Sequence, residues 1–437
     1  MRSKDMGVLP RNEAAAQVLP AQTVHGPQEG TRDRIAASDA RQATGALRWG
    51  WWQHPALVSL AVGLIYLGLL AWLWQHFGGD PVGFVHEGSL FTDRDPNGTH
   101  GYDGQFYYYT ALHPLHASAL MDNAAFRLER IFYPLLIIGV TLGQRPLMAA
   151  AMVAINWIAV VGGTGVVAVL LRRWGRSPWF ALSYALASGI PVALTFDTAE
   201  PLTFALVALG IAGWGLVGPS RQPQPEGGSR PAGDMAGRQT GWLGGGLAFA
   251  AALLTRELAV FAVAGYGAAG LVRRDWRTVA SAALTFLPFL VWSSYISLEE
   301  NYLGVSYAQP LEHIPFLAYW LQLDDPTLRS VGYASQYVIP TLVFGGLGMA
   351  ALVRTWRAPS PLLLGMLGNA ALMTFIHRGG YQHQVAISRY MLGLTLAAVL
   401  WAATVRPRWV LWLTPLFAAS LLGYLYGLVT QDPAYLW

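Results

Sequence analysis

From residue 55 to the end of the chain, long apolar runs alternate with short polar links, most of which carry arginine. The first run, Pro55 to Phe77, follows a basic and aromatic flank of Arg41, Arg48, Trp51 and Trp52. Others lie at about 147–171, 179–196, 201–217, 241–255, 258–272, 278–296, 333–353, 361–376, 390–405 and 409–429. Runs this apolar read as membrane helices. They predict an all-α, polytopic protein of about eleven spans. Several runs fall short of the roughly 20 residues a straight helix needs to cross a bilayer. Shorter spans of that kind fit tilted, paired or broken helices lining a cavity.

The basic flank places the N-terminus in the cytoplasm and makes the first run an uncleaved anchor. Counting onward, the inward links carry Arg172, Arg173 and Arg176; Arg221, Arg230 and Arg238; Arg273, Arg274 and Arg277; Arg354 and Arg357; and Arg406 and Arg408. Each holds at least two arginines, so the positive-inside rule and the span count agree. The stretch 127–146, RLERIFYPLLIIGVTLGQRP, is too short to span and has arginines near both ends. Taken as a span it would invert everything after it, so it is read as a juxtamembrane helix on the outer interface. Two outer loops, about 78–146 and 297–332, then collect most of the outward-facing acids, and any chemistry faces the periplasm or exterior of a cell membrane. Residues 1–50 lack apolar periodicity and read as a disordered cytoplasmic tail ahead of a transmembrane domain at 51–437. The Pro/Gly/Ser-rich stretch 219–240 reads as a cytoplasmic linker.

Composition narrows the class. Of 437 residues, 54% are hydrophobic and 12% charged, about half the charge of a soluble domain. That excludes a water-soluble globule. The net charge of +4 resides in the links, which points to membrane topology and not to nucleic acid. With no cysteine there is no disulfide framework. No Walker loop, nucleophile elbow or HExxH motif occurs, and Asn97-Gly98-Thr99 is a three-residue sequon match without further support.

Four stretches offer chemistry. In FTDRDPNGTHGYDGQFYYYTALHP, Phe91 to Pro114, glycines flank Tyr102-Asp103 and permit a tight bend that would aim the carboxylate into a cleft. Asp103 is the first candidate for catalysis. Tyr102, Gln105 and Tyr107 offer hydrogen bonds and flat surface to a sugar ring; a solvated acidic loop with an aromatic belt is the bland alternative. Asp93, Asp95 and His100 also offer ligands for a divalent cation such as Mg or Mn. FDTAEP, Phe196 to Pro201, places Asp197 and Glu200 at a hairpin tip, either as a polar helix cap or lining the same cavity. LLTREL holds Arg256 and Glu257, either a salt bridge closing a turn or a group bound to a lipid phosphate or a neighbouring acid. IHRGGYQHQVAISRY supplies Arg378 and Arg389 as phosphate clamps, or as arginines snorkelling to headgroups.

The stretch GYDGQFYY resembles the WDG-plus-tyrosine motif of the PIG-V-type mannosyltransferase branch of the GT-C superfamily, with Tyr102 where that branch has Trp. FDTAEPLTFALVALG is similar to the superfamily's acid-tipped hairpin, LLTREL to its short turn bearing a basic residue, and SRY to its late arginine. The resemblance covers most of 55–405. It implies a GT-C-like fold with outer juxtamembrane helices and a glycosyltransferase that takes a sugar from a polyprenyl-phosphate donor. Asp103 would be the general base of an inverting transfer. Arg256, Arg378 and Arg389 would steady the departing lipid phosphate, with a divalent ion as an optional helper. The acceptor would be a glycan, lipid or protein. The adjacent acid pair of the protein mannosyltransferase branch is missing, because Arg94 separates Asp93 from Asp95. Rival readings are a lipid or sugar-lipid transporter, disfavoured by apolar mid-span positions, and a non-catalytic membrane partner that binds polyprenyl phosphate.

Overall fold

The computed structural model describes residues 50–215, 232–300, 311–321, 332 and 334–430. The predicted tail up to residue 49, the linker as far as residue 231 and most of the loop 297–332 lie outside the described residues. Among the described residues every regular element is helical and none is a strand. The main ones are α1 (Pro55–His76), α2 (Gly104–Leu112), α3 (Ala124–Leu128), α4 (Phe132–Thr141), α5 (Met148–Arg173), α6 (Gly189–Thr195) and α7 (Glu200–Gly213). They continue with α8 (Ala232–Thr255), α9 (Val260–Arg273), α10 (Trp276–Glu299), α11 (Ile339–Thr355), α12 (Pro361–Phe375), α13 (Arg378–Gln382), α14 (Gln384–Thr404) and α15 (Ser420–Thr430).

Local chemistry marks several boundaries. Proline occupies the first turn of α1, α7, α11 and α12, where its missing N–H costs nothing. His54 caps α1 by accepting from the Ala56 N–H at 3.3 Å. Arg274, left-handed at φ 56°, ends α9. Asp275 then caps α10 by accepting from the Thr278 N–H and hydroxyl. The result is a tight helical hairpin.

Among the described residues six helical runs are long and apolar enough to cross a membrane: Pro55–His76, Arg145–Arg173, Trp276–Glu299, Ala334–Thr355, Gln384–Thr404 and Arg408–Thr430. A seventh is added when Pro178–Ala185 and Gly189–Thr195, bent by 55° at their junction, count as one. All eleven apolar runs are helical, but α7 and α9 have 14 residues and α12 has 15. At 1.5 Å per residue these reach about 21–23 Å, less than the roughly 30 Å of hydrocarbon in a bilayer. By length alone the structure therefore supports six or seven crossings.

Burial separates core from rim. In α14, 83% of the apolar window is buried, against 17% in α10. The largely buried α14 packs on α6, α7 and α12, while α10 presents Leu284, Leu287, Leu290, Val291 and Leu298 outward. Such a face is stable only against lipid or another apolar surface. Where α9 meets α12, Gly265 faces Gly365 so closely that a side chain would strike backbone, the small-residue approach usual between membrane helices.

The two ends of the bundle differ. At one, Trp179 Nε1 donates to the Trp52 carbonyl (3.0 Å), Arg176 to the Ala403 and Val405 carbonyls, and Arg273 to those of Ala358 and Pro359. At the other, acids and arginines meet.

Candidate functional site

The loop ahead of α2 is stitched back onto that helix. The Tyr102 N–H donates to the His86 carbonyl at 2.9 Å and the Leu90 N–H to that of Thr99 at 3.1 Å. Gln105 accepts from the Gly88 N–H (2.9 Å) and donates to the His100 carbonyl (2.8 Å). Gly101 sits at φ +63°, and a Cβ on Gly104 would strike the Phe196 carbonyl. Both glycines around Tyr102-Asp103 are thus required, the first by its backbone and the second by close approach. The bend leaves Asp103 at the start of α2.

Two helices distant in sequence reach that carboxylate. Arg127 Nη1 donates to Oδ1 at 2.9 Å, and Arg389 Nη2 to Oδ2 at 2.8 Å. Arg127, at the end of α3, also grips Asp122 through two bonds of 2.9 and 2.7 Å and lies 4.3 Å over the Phe106 ring. Arg389, on α14, lies 4.8 Å over the Tyr102 ring, with Nη1 at 3.4 Å from Glu200. Glu200, the first residue of α7, is paired in turn with Arg256, and both are buried. Asp122, Arg127, Asp103, Arg389, Glu200 and Arg256 thus alternate in sign along one chain, with the charges in balance. Beside it, Arg130 holds Glu257 with two bonds of 2.9 and 2.8 Å.

Burial alone would raise the Asp103 carboxyl, but Arg127 and Arg389 hold it well below the usual carboxylate range. Asp122 is lowered too, burial being outweighed by its bonds from Arg127. A carboxyl lowered in the folded state adds stability that is complete above its unfolded value, about 4. That stability is lost as pH falls toward the folded value. Thermal melts in detergent are therefore expected to hold steady around neutrality and drop below about pH 4. In Asp103→Asn that acid drop should be smaller; an unchanged slope would remove the ion pairs.

Asp197 is arranged differently. It is fully buried, left-handed at φ 49°, and accepts from Asn156 of α5 at 2.9 Å and more distantly from the Tyr133 hydroxyl of α4 at 3.5 Å. Its Oδ2 has no hydrogen-bond partner, and among the described residues no cation pairs with it. An isolated buried carboxylate is so costly that such a group is neutral. Asp197→Asn should therefore melt close to wild type, whereas Asp197→Ala, which takes away one of the two acceptors of the Asn156 amide, should lose about 1–3 kcal/mol. Equal losses in the two variants would argue against the neutral form.

The expected residues divide as follows. Asp103, Tyr102, Glu200, Arg256 and Arg389 come together, with Glu257 alongside. Arg256 and Glu257 do not form the local salt bridge considered for LLTREL: extended backbone at Arg256 (φ −161°, ψ 136°) turns them toward different helices. Gln105 spends its polar atoms within its own loop. Tyr107 is buried against Tyr133, with a hydroxyl that has no hydrogen-bond partner. Arg378 is exposed on α13, and among the described residues no ion pair ties it to the charge chain. Asp93, Asp95 and His100 are exposed, and Asp95 caps its own turn at Asn97. Among the described residues no three of His, Cys, Asp or Glu converge as metal ligands, Asp93, Asp95 and His100 included.

Arg127, Arg130, Asn156 and His86 were not anticipated. The RLER spacing put Arg127 and Arg130 on one helical face, the one available signal. His86 packs between Phe77 and Phe196, at 5.3 and 4.6 Å, and burial pushes its imidazole down to about 4, so it stays neutral.

Along the same helices, away from the charges, lies a small apolar slot lined by Phe204, Leu258, Tyr266, Leu362, Asn369 and Leu396. Phe204 follows Glu200 by one helical turn, Gly393 follows Arg389 likewise, and Leu258 follows Arg256 by two positions. Charge and slot share their walls. Compared with known proteins, the chain matches no family model, no curated protein and no solved structure.

Proposed function

We propose that this chain is a GT-C-like membrane glycosyltransferase that moves a sugar from a polyprenyl-phosphate donor to an acceptor hydroxyl. The observation that supports the reading is Asp103, an ionised carboxylate held between two guanidiniums, one of them on α14, a helix that continues inward past an apolar slot. Guanidiniums paired with a displaceable carboxylate offer a phosphate bidentate contacts. In this reading the short helices α7, α9 and α12 and the apolar part of α8 also cross, giving eleven passes. The arginine-tryptophan end is cytoplasmic and Asp103 faces the exterior of a cell membrane.

Paired with two arginines, Asp103 is a poor base. Donor binding changes that, because phosphate oxygens compete for Arg389 and Arg127 and free the carboxylate. The acceptor oxygen attacks the anomeric carbon and its proton passes to Asp103. The carbon–oxygen bond to phosphate breaks, its electron pair leaving with the polyprenyl phosphate, whose charge Arg389 stabilises. Arg256 stays with Glu200 and fixes the height of Arg389. The configuration inverts.

The test is transfer of radiolabelled sugar from synthetic polyprenyl-phosphate donors by purified protein in nanodiscs. Transfer establishes the reading. Donor binding without transfer replaces it with a carrier or a non-catalytic partner, and no binding removes all three.

A further inference from the structure

At the arginine-tryptophan end, Arg176 is not a free surface side chain. Its Nε donates to the Ala403 carbonyl at 2.8 Å and its Nη2 to that of Val405 at 3.1 Å. This fixes the guanidinium beside the link that carries Arg406 and Arg408, both exposed. Burial, and then the charges of Arg408 and Arg406, push the Arg176 guanidinium below its ordinary value. Among the described residues no acid pairs with any of the three. The fold thus holds like charges together without a counter-ion, at a cost that an anion would relieve.

Two exposed tryptophans flank the same turn. Trp179 Nε1 donates to the Trp52 carbonyl at 3.0 Å, and Phe180 meets Trp412 edge-on at 4.9 Å. Trp52 and Trp412 are 50% and 72% exposed. Exposed indoles at the ends of apolar helices mark the level of lipid headgroups. A soluble phosphate would have no use for them, whereas a phospholipid places its phosphate at that depth and its glycerol and upper acyl carbons against the rings.

We propose that Arg176, Arg406 and Arg408 form a binding site for the headgroup phosphate of an anionic phospholipid, with Trp52 and Trp412 as its rim. The pinned Arg176 is the preorganised donor, its ordering entropy already spent in the fold. Arg406 and Arg408 close over the phosphate from the other side of the link. The site lies at the opposite end from Asp103 and does not depend on the glycosyltransferase reading.

Delipidated full-length protein in uncharged detergent is titrated with phosphatidylglycerol, phosphatidylcholine or inorganic phosphate, while thermal unfolding and native mass spectrometry read stabilisation and retained lipid. Phosphatidylglycerol should bind and raise the melting temperature, and the other two should not. Arg406→Gln/Arg408→Gln, both exposed and safe for folding, should weaken that binding about 30-fold, the share of two arginines in attraction to anionic lipid. Arg354→Gln/Arg357→Gln removes equal charge from the same end and should leave it unchanged. An equal loss in both double variants, equal retention of phosphatidylcholine, or the same stabilisation by inorganic phosphate would each overturn the proposal.

Discussion

Asp103→Asn protein is expected to insert into the membrane and to lose sugar transfer by about 10²- to 10⁴-fold, the range over which a positioned base contributes. Asparagine keeps the shape of the side chain and one acceptor oxygen, so the bend between Gly101 and Gly104 survives. What it removes is the charge that balances Arg127 and Arg389, so some loss of stability must accompany the loss of transfer. The two effects separate when transfer is measured below the variant's own melting temperature. Arg378→Gln serves as the control, since Arg378 is exposed and apart from the charge chain; it should leave both transfer and melting unchanged. A well-folded Asp103→Asn enzyme with full activity would strip Asp103 of its role.

The helices were legible because their signal is one-dimensional. A run of apolar residues is visible without knowing its neighbours, and each such run is helical. Whether a run crosses is less legible, because α7, α9 and α12 are short enough that tilt and neighbours decide. Asp103 was legible for a similar local reason: its flanking glycines betray a bend that no helix interior needs. The pairing of charges was not. Arg256 and Glu257 are adjacent, yet their partners Glu200 and Arg130 lie 56 and 127 positions away. Only the tertiary fold specifies such contacts. Nor does closeness in sequence bring Asp93, Asp95 and His100 together, because the loop is stitched down through Gln105. Gln105 itself looked like a substrate contact, being a polar residue beside aromatics, and its role as a clasp depends on where Gly88 and His100 return.

Glu200→Ala should be the most destabilising single change among the charged residues, by about 3–5 kcal/mol. Glu200 is fully buried, and its carboxylate is the ionic partner of Arg256, itself 2% exposed. Removing it leaves one guanidinium without an anion in a low-dielectric interior and leaves Arg389 with Asp103 alone. Breaking a buried pair costs far more than never having built it, because desolvation of the surviving charge is no longer offset. It follows that Glu200→Leu/Arg256→Met, which removes both charges and fills the space with apolar atoms, should melt well above Glu200→Ala. Thermal unfolding of both variants in the same detergent measures the difference. The rescue should be one-sided: stability returns, but Arg389 loses its second anchor on α7, so donor affinity stays low. Were the single and double variants equally unstable, Glu200 would matter through packing at the start of α7 and not through its charge. The alternating chain would then end at Arg389, with Asp103 as its one necessary acid.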